Sequence, residues 1–204
     1  MKIFSTSFLF VCILSVLLFS RCDQKSAENQ AVQSESPKPD FAGFESQVKW
    51  GEHLVTIGGC NDCHTPKKMT PMGPVDDTSL MLSGHPANMP PPDVDRRAME
   101  SKGYAVTQTL TSWVGPWGIS YAANLTSDSS GIGDWDEARF ILCLREGKWE
   151  GLAGSRPLLP PMPWASIRLM TDDELKAVFA YLKATKPIKN MVPVAAAPVS
   201  APKM

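Results

Sequence analysis

The sequence predicts an all-α fold, three or more helices joined by long loops rich in proline and glycine. Three observations carry this. Apolar residues recur at helical spacing in three separate stretches, two of which open on capping signatures. No stretch alternates apolar and polar residues as a half-buried strand would. Proline and glycine crowd residues 65–125, which assigns that region to loops.

The first helix is expected over residues 46–58, where Val48, Gly51, Leu54 and Val55 share one face. A glycine in mid-helix costs about 1 kcal/mol relative to alanine. That cost makes sense where a second helix must approach closely. Gly58-Gly59 end the helix. A second helix should open at the capping box Asp134-Trp135-Asp136-Glu137, carry Phe140, Ile141 and Leu144, and stop at Gly147. A third should open at the box Thr171-Asp172-Asp173-Glu174, carry Leu175, Val178, Phe179 and Leu182, and end before Pro187. Residues 95–102 suit one short further helix.

Directly after the first helix stands Cys60-Asn61-Asp62-Cys63-His64, a C-x-x-C-H run. This is the attachment signature of a c-type haem. Two thiols three positions apart can add across the two vinyl groups of one porphyrin. The imidazole that follows is then carried under the ring, where it can ligate iron. A zinc site would need a second Cys or His pair at ligand spacing, and none is present. A redox dithiol would need a βαβ context, and the flanks read as helical. One such run implies one covalently bound haem c.

The chain has 204 residues, 43% hydrophobic and 20% charged, which suits one globular domain. A formal net charge of -1 without a basic block gives no sign of a nucleic-acid partner. Met1-Lys2 followed by an apolar run over 8–19 reads as an export signal over 1–21. Cys22 then resembles the lipidated cysteine of a bacterial lipoprotein. The alternative keeps the apolar stretch 3–20 in place as a membrane anchor. Either reading places the protein in the periplasm or cell envelope, tethered to a membrane. Residues 22–43 are polar and read as a flexible tether, 44–193 as the folded body, and 194–204 as a disordered Pro/Ala-rich tail. Cys12 falls in the signal, and Cys143 reads as a small buried hydrophobe on a helix.

The order helix, C-x-x-C-H, long loops, helix, proline-flanked methionine and terminal helix resembles a class I cytochrome c. Gly51 and Leu54 on the first helix, with Phe179, Tyr181 and Leu182 on the last, match the family's helix crossing. More narrowly, the chain is similar to the modules of bacterial alcohol-dehydrogenase-type cytochrome subunits. The matching pieces are Ala123-Asn124-Leu125-Thr126, Gly131-Ile132-Gly133, Leu144-Arg145-Glu146-Gly147, Pro160-Pro161-Met162-Pro163-Trp164 and Met170 to Leu175. Those subunits usually carry several haems, and this chain has one attachment run.

The resemblance implies His64 as proximal iron ligand and Met162 as the second. Met72 and Met89, in other Pro-rich loops, are alternatives, and His53 or His85 would be needed for a bis-His iron. It further implies that a carbonyl at Gly73-Pro74 holds the other nitrogen of His64. Trp164, which follows Met162 closely, is expected near the haem. Asn124, Thr126, Arg156, Trp113, Trp117 and Trp164 are candidate propionate donors by residue type.

With both axial positions filled, the expected function is one-electron transfer rather than catalysis. The partner would be a redox protein on the dehydrogenase or terminal-oxidase side. An alternative is a dedicated electron-accepting subunit of a dehydrogenase, which should expose a sizeable apolar patch where a diffusing carrier would show a charged rim. A peroxidase or gas sensor would need Met162 absent or displaced.

Overall fold

The computed structural model describes residues 40–199. The export signal, Cys22, most of the tether and the end of the tail lie outside the described residues.

Among the described residues the first helix, α1 (Gln47–Ile57), forms where periodicity places it, capped by Ser46, whose hydroxyl accepts from the Lys49 N–H at 3.2 Å. After Gly58 and Gly59 comes the one-turn helix α2 (Cys60–His64). Helix α3 (Arg96–Lys102) is capped by Asp95. Helix α4 (Glu137–Glu146) begins later than the capping box suggests. Asp136, not Asp134, is its cap, accepting from the Arg139 N–H at 2.7 Å, and Gly147 closes it at φ +62°. Helix α5 (Trp164–Ile167) is a single turn. Helix α6 (Asp172–Ala184) opens on the complete Thr171/Glu174 capping box.

The all-α expectation is wrong. Two antiparallel sheets stand where loops were expected. Strands β1 (Lys67–Thr70) and β2 (Gly73–Asp76) form a hairpin. Strands β3 (Val106–Thr107), β4 (Ser112–Gly115) and β5 (Gly118–Tyr121) form a three-stranded sheet in that order. These strands escape a periodicity search because none exceeds four residues. Moreover, β4 and β5 are mostly buried on both faces, which erases the alternation of a half-solvated strand. A turn signal was nonetheless present. Thr70-Pro71-Met72-Gly73 and Gly115-Pro116-Trp117-Gly118 each place proline second and glycine fourth, with Gly73 at φ +109° and Gly118 at φ +97°. Proline presets the second turn position and glycine alone takes the positive φ freely, which suits a hairpin.

The core lies where α1 crosses α6. A Cβ on Gly51 would sit 1.9 Å from the Ala177 carbonyl oxygen, so the glycine is what permits this approach. Leu54, Val55, Leu175, Val178 and Leu182 fill the crossing, and Phe140 and Leu144 of α4 with Leu82 and Ile132 complete the cluster. Cys143 is buried, as expected.

The Pro/Ala-rich segment from Met191, which composition marks as unlikely to pack, runs along β5. Ala196 and Ile119 exchange both backbone hydrogen bonds, at 2.8 and 3.1 Å, and Arg96 donates to the Ala197 carbonyl at 2.7 Å. Upstream, the Asn190 amide donates to the carbonyls of Ser83 and His85 at 2.7 and 2.9 Å, while its oxygen accepts from the Ala87 N–H. Backbone pairing holds the segment where its own side chains offer little.

Candidate functional site

Cys60 and Cys63 lie three residues apart on α2, which puts both thiols on one side of a single turn. The two thiols are free and partly exposed. Burial pushes the Cys60 thiol up to about 11 and also raises Cys63. A redox dithiol needs a lowered thiol pKa, so this pair is poorly suited to that chemistry. Among the described residues no group of three or more His, Cys, Asp or Glu could hold a metal ion, which leaves the zinc alternative without a ligand set.

His64 closes α2 and is buried at 8% exposure. Its Nδ1 lies 2.8 Å from the Ala123 carbonyl oxygen. A carbonyl only accepts, so Nδ1 carries the proton and Nε2 presents a lone pair. No described residue hydrogen-bonds to Nε2. Burial lowers the His64 pKa, and the bond to Ala123 opposes that shift in part. The carbonyl expected from Gly73-Pro74 is therefore supplied by Ala123 instead. Pro74 sits exposed in β2.

Lys67 fixes α2 from its C-terminal side. Its buried ammonium donates to the carbonyls of Asn61 and Thr65 at 2.9 and 2.8 Å and pairs with Asp76 at 2.6 Å. The Thr65 hydroxyl donates to the Asn61 side chain and accepts from the Leu82 N–H. The β1–β2 hairpin thus clamps the C-x-x-C-H turn.

Met162 and Cys60 are both partly buried and pack on the same apolar core. The loop that carries Met162 is pinned twice. The Leu158 N–H donates to the Gly147 carbonyl at 2.7 Å, and the Ser120 hydroxyl donates to the Pro160 carbonyl at 2.6 Å. The competing methionines are poorly placed for a buried ligand: Met72 is 94% exposed and Met89 is 37% exposed. Met170, which sequence reasoning did not weigh, also packs on the core. Both nitrogens of His85 are taken, Nδ1 by Thr111 at 2.8 Å and Nε2 by the Met89 carbonyl at 2.9 Å. His53 stacks on Phe44 on the far side of α1's buried stripe.

Trp164 packs on the α4 cap, since a Cβ on Gly147 would lie 2.6 Å from its ring, and Arg168 sits over the same ring. Of the candidate propionate donors, Asn124 spends its amide on Ser130, Ile188 and Asn190, and its oxygen on Thr126. Trp117 donates to Ser120, and Arg156 donates to the Pro157 carbonyl. Sequence reasoning missed Ala123, Lys67 and Ser120. A backbone carbonyl leaves no residue-type signal, and the other two act from two separate sheets that were not foreseen.

The residues fit a haem: paired neutral thiols, an imidazole with one nitrogen anchored and the other presented, and a thioether on the same apolar core. No family model matches the chain. Residues of the chain are 31% identical over 162 positions to the fructose dehydrogenase cytochrome subunit of Gluconobacter japonicus, covering 78% of this chain and 26% of the relative. The cytochrome c subunit of the quinone alcohol dehydrogenase of Gluconacetobacter polyoxogenes is 28% identical over 160 positions, covering 76% and 28%. A shorter match, 35% over 79 residues, is to a nicotinate dehydrogenase polypeptide of Pseudomonas putida and covers 38% of this chain and 6% of that relative. The chain thus spans about a quarter of the length of the cytochrome subunits it matches and much less of the nicotinate dehydrogenase polypeptide. The attachment turn, the anchored imidazole and this similarity together support a cytochrome c of the same type as the cytochrome subunits of alcohol, fructose and gluconate dehydrogenases.

Proposed function

We propose that the chain is a one-electron carrier in which Cys60 and Cys63 hold a single haem c through thioethers, with His64 and Met162 as the axial ligands. The observation that carries this is the His64 ring, fixed through Nδ1 by Ala123 so that Nε2 is left for iron. A haem with imidazole and thioether ligands exchanges one electron with both axial positions filled. His64 would hold the iron through Nε2, with its ring angle set by Ala123, and Met162 would offer a neutral sulfur from a pinned loop. The apolar cluster against which Met162 packs would favour the neutral thioether over a solvent ligand.

Covalent attachment is tested on a denaturing gel and by haem content. One haem per chain should stay with the polypeptide after acid–organic extraction. Complete extraction would contradict thioether attachment, and two haems per chain would contradict the count.

The partner we infer is a dehydrogenase that passes electrons to this chain. Support comes from the relatives, which are named as dehydrogenase cytochrome subunits. A second support is the groove beside the attachment turn, where Met69, Pro74, Met89 and Leu110 gather while Lys67 and Lys68 are each paired with an acid. That surface suits a lasting apolar contact better than charge-steered encounter. Residues 1–43 would export the chain and tether it to a membrane. Among the described residues, no helix is long and apolar enough to cross one. Tagged full chain isolated from native membranes should bring down a dehydrogenase; recovery of the cytochrome alone at low salt would favour a diffusing carrier. Cys22→Ser should abolish fatty-acid labelling if that residue is lipidated.

A further inference from the structure

We propose that β5 and its continuation to Ala123 brace both axial ligands, with Ser120 as the positioning residue on the methionine side. This rests on His64 and Met162 being those ligands.

The hydrogen bonds around Ser120 have only one consistent direction. The Trp117 indole can only donate, and its Nε1 lies 3.0 Å from the Ser120 hydroxyl. The Ser120 oxygen must accept that bond, so its own proton goes to the Pro160 carbonyl at 2.6 Å. Ser120 is 6% exposed, so water competes poorly for either bond. Pro160 stands two residues before Met162, and Pro161 and Pro163 limit how far the intervening backbone can adjust. A bond at Pro160 therefore sets where the thioether lies.

Three residues beyond Ser120, the same extended segment presents the Ala123 carbonyl to His64. The segment itself is held on both edges. On one side β5 pairs with β4 from Ser112↔Tyr121 to Gly115↔Gly118. On the other, Ile119 exchanges two backbone bonds with Ala196. Ala122 adds a bond to the Thr111 carbonyl and accepts one from the His85 N–H. A segment paired this way cannot slide without breaking several hydrogen bonds. Its two outputs, Ser120 toward the Met162 loop and Ala123 toward His64, are thus kept at a fixed separation. The brace favours the ligand spacing that keeps a weak neutral sulfur on the iron.

The test uses the full-length holoprotein and variants Ser120→Ala, Ser120→Thr and Trp117→Phe, with exposed Ser101→Ala as control. Three readouts serve: carbon monoxide binding to the ferrous protein, the pH at which the ferric sulfur–iron band disappears, and thermal melting. Ser120→Ala should speed carbon monoxide binding by about tenfold, in line with the loss of one buried hydrogen bond. The band should disappear at a lower pH than in the wild type. Trp117→Phe should shift both in the same direction by less, and Ser120→Thr should restore both. A merely structural Ser120 would lower the melting temperature and leave the band and the carbon monoxide rate at wild-type values, which overturns the brace. Should Met162→Ala keep the band, the ligand assignment falls, and the brace with it. Loss of the band in Met162→Ala with wild-type behaviour in Ser120→Ala overturns the brace alone.

Discussion

Met162 and His85 show how identical residue types separate once their surroundings are known. Ten methionines stand in the chain, and their surroundings differ: Met72 is 94% exposed, whereas Met162 packs against the apolar core. Met162→Ala should open the sixth position, abolish the ferric sulfur–iron band and lower the reduction potential, because axial ligand identity is a main lever on haem potential. Spectra and redox titration of Met72→Leu, Met89→Leu and Met170→Leu should match the wild type; loss of the band in one of these would move the ligand there. His85 is a buried imidazole with both nitrogens spent on the protein. Burial lowers its pKa from 6.5, against a smaller opposing effect of the Met89 carbonyl. The unfolded chain therefore takes up the proton first as pH falls. The contribution of a neutral His85 is fully present above its unfolded value and is lost as pH drops below it. Denaturant midpoints compared between His85→Gln and the wild type should converge as pH falls from 7.5 toward 5, using the range in which an ordinary histidine titrates, about 6.5. A constant difference would contradict this.

Gly51 belongs to the scale of elements, because its effect is the distance between two helices. An alanine there would gain about 1 kcal/mol of helix propensity. Its Cβ would also lie 1.9 Å from the Ala177 carbonyl oxygen and 2.8 Å from the Tyr181 Cβ. Backbone cannot turn aside as a side chain can, so α1 and α6 would have to separate. Overpacking of this kind costs about 1–3 kcal/mol, and the net effect of Gly51→Ala should be destabilising despite the better propensity. Chemical denaturation measures it; a stabilised variant would mean the crossing is looser than the geometry states. The capping signals illustrate the same limit of local reasoning. Thr171 and Glu174 form their box because both reach the first turn of α6. Asp134 and Glu137 have the same spacing, yet the neighbouring Asp136 takes the cap of α4. Trp135 packs against the core at that corner, and Lys183 of α6 donates to the carbonyls of Ile132, Gly133 and Trp135. Those contacts engage the Asp134 region from outside the helix.

Across the whole domain, the strap 188–197 ties together segments far apart in sequence. Asn190 alone reaches Ser83, His85 and Ala87, and Asn124 reaches Ile188. Asn190→Ala would leave the carbonyls of the buried residues Ser83 and His85 without this partner, while water can replace it at the exposed Ala87 N–H. Each unsatisfied buried group costs about 1–3 kcal/mol, so the variant should lose stability measurably while its visible spectrum stays that of the wild type. Thermal melting followed in the haem band and in the far ultraviolet would check this. An unchanged melting temperature would show that the strap is held elsewhere.

The sequence by itself determined the attachment turn, the three principal helices, the close helix crossing at Gly51 and the candidate Met162. Each of these rests on residues within one turn or one short stretch: two thiols at i and i+3, an apolar stripe, a cap, a glycine among large neighbours, a methionine between prolines. Tertiary structure decided the pairing of the two sheets, whose turns alone were marked in the sequence, the path of the C-terminal strap and the partner of His64. Strands of at most four residues, two of them buried on both faces, have no period to read. Beyond Asn190 the strap is mostly valine, alanine and proline and is held through its backbone at Ala196 and Ala197, which every sequence carries alike. The carbonyl that orients His64 comes from Ala123, 59 residues away, and belongs to a residue whose side chain says nothing of that role. Which main-chain oxygen meets an imidazole depends on how the chain folds back on itself, and no local stretch of residues carries that information.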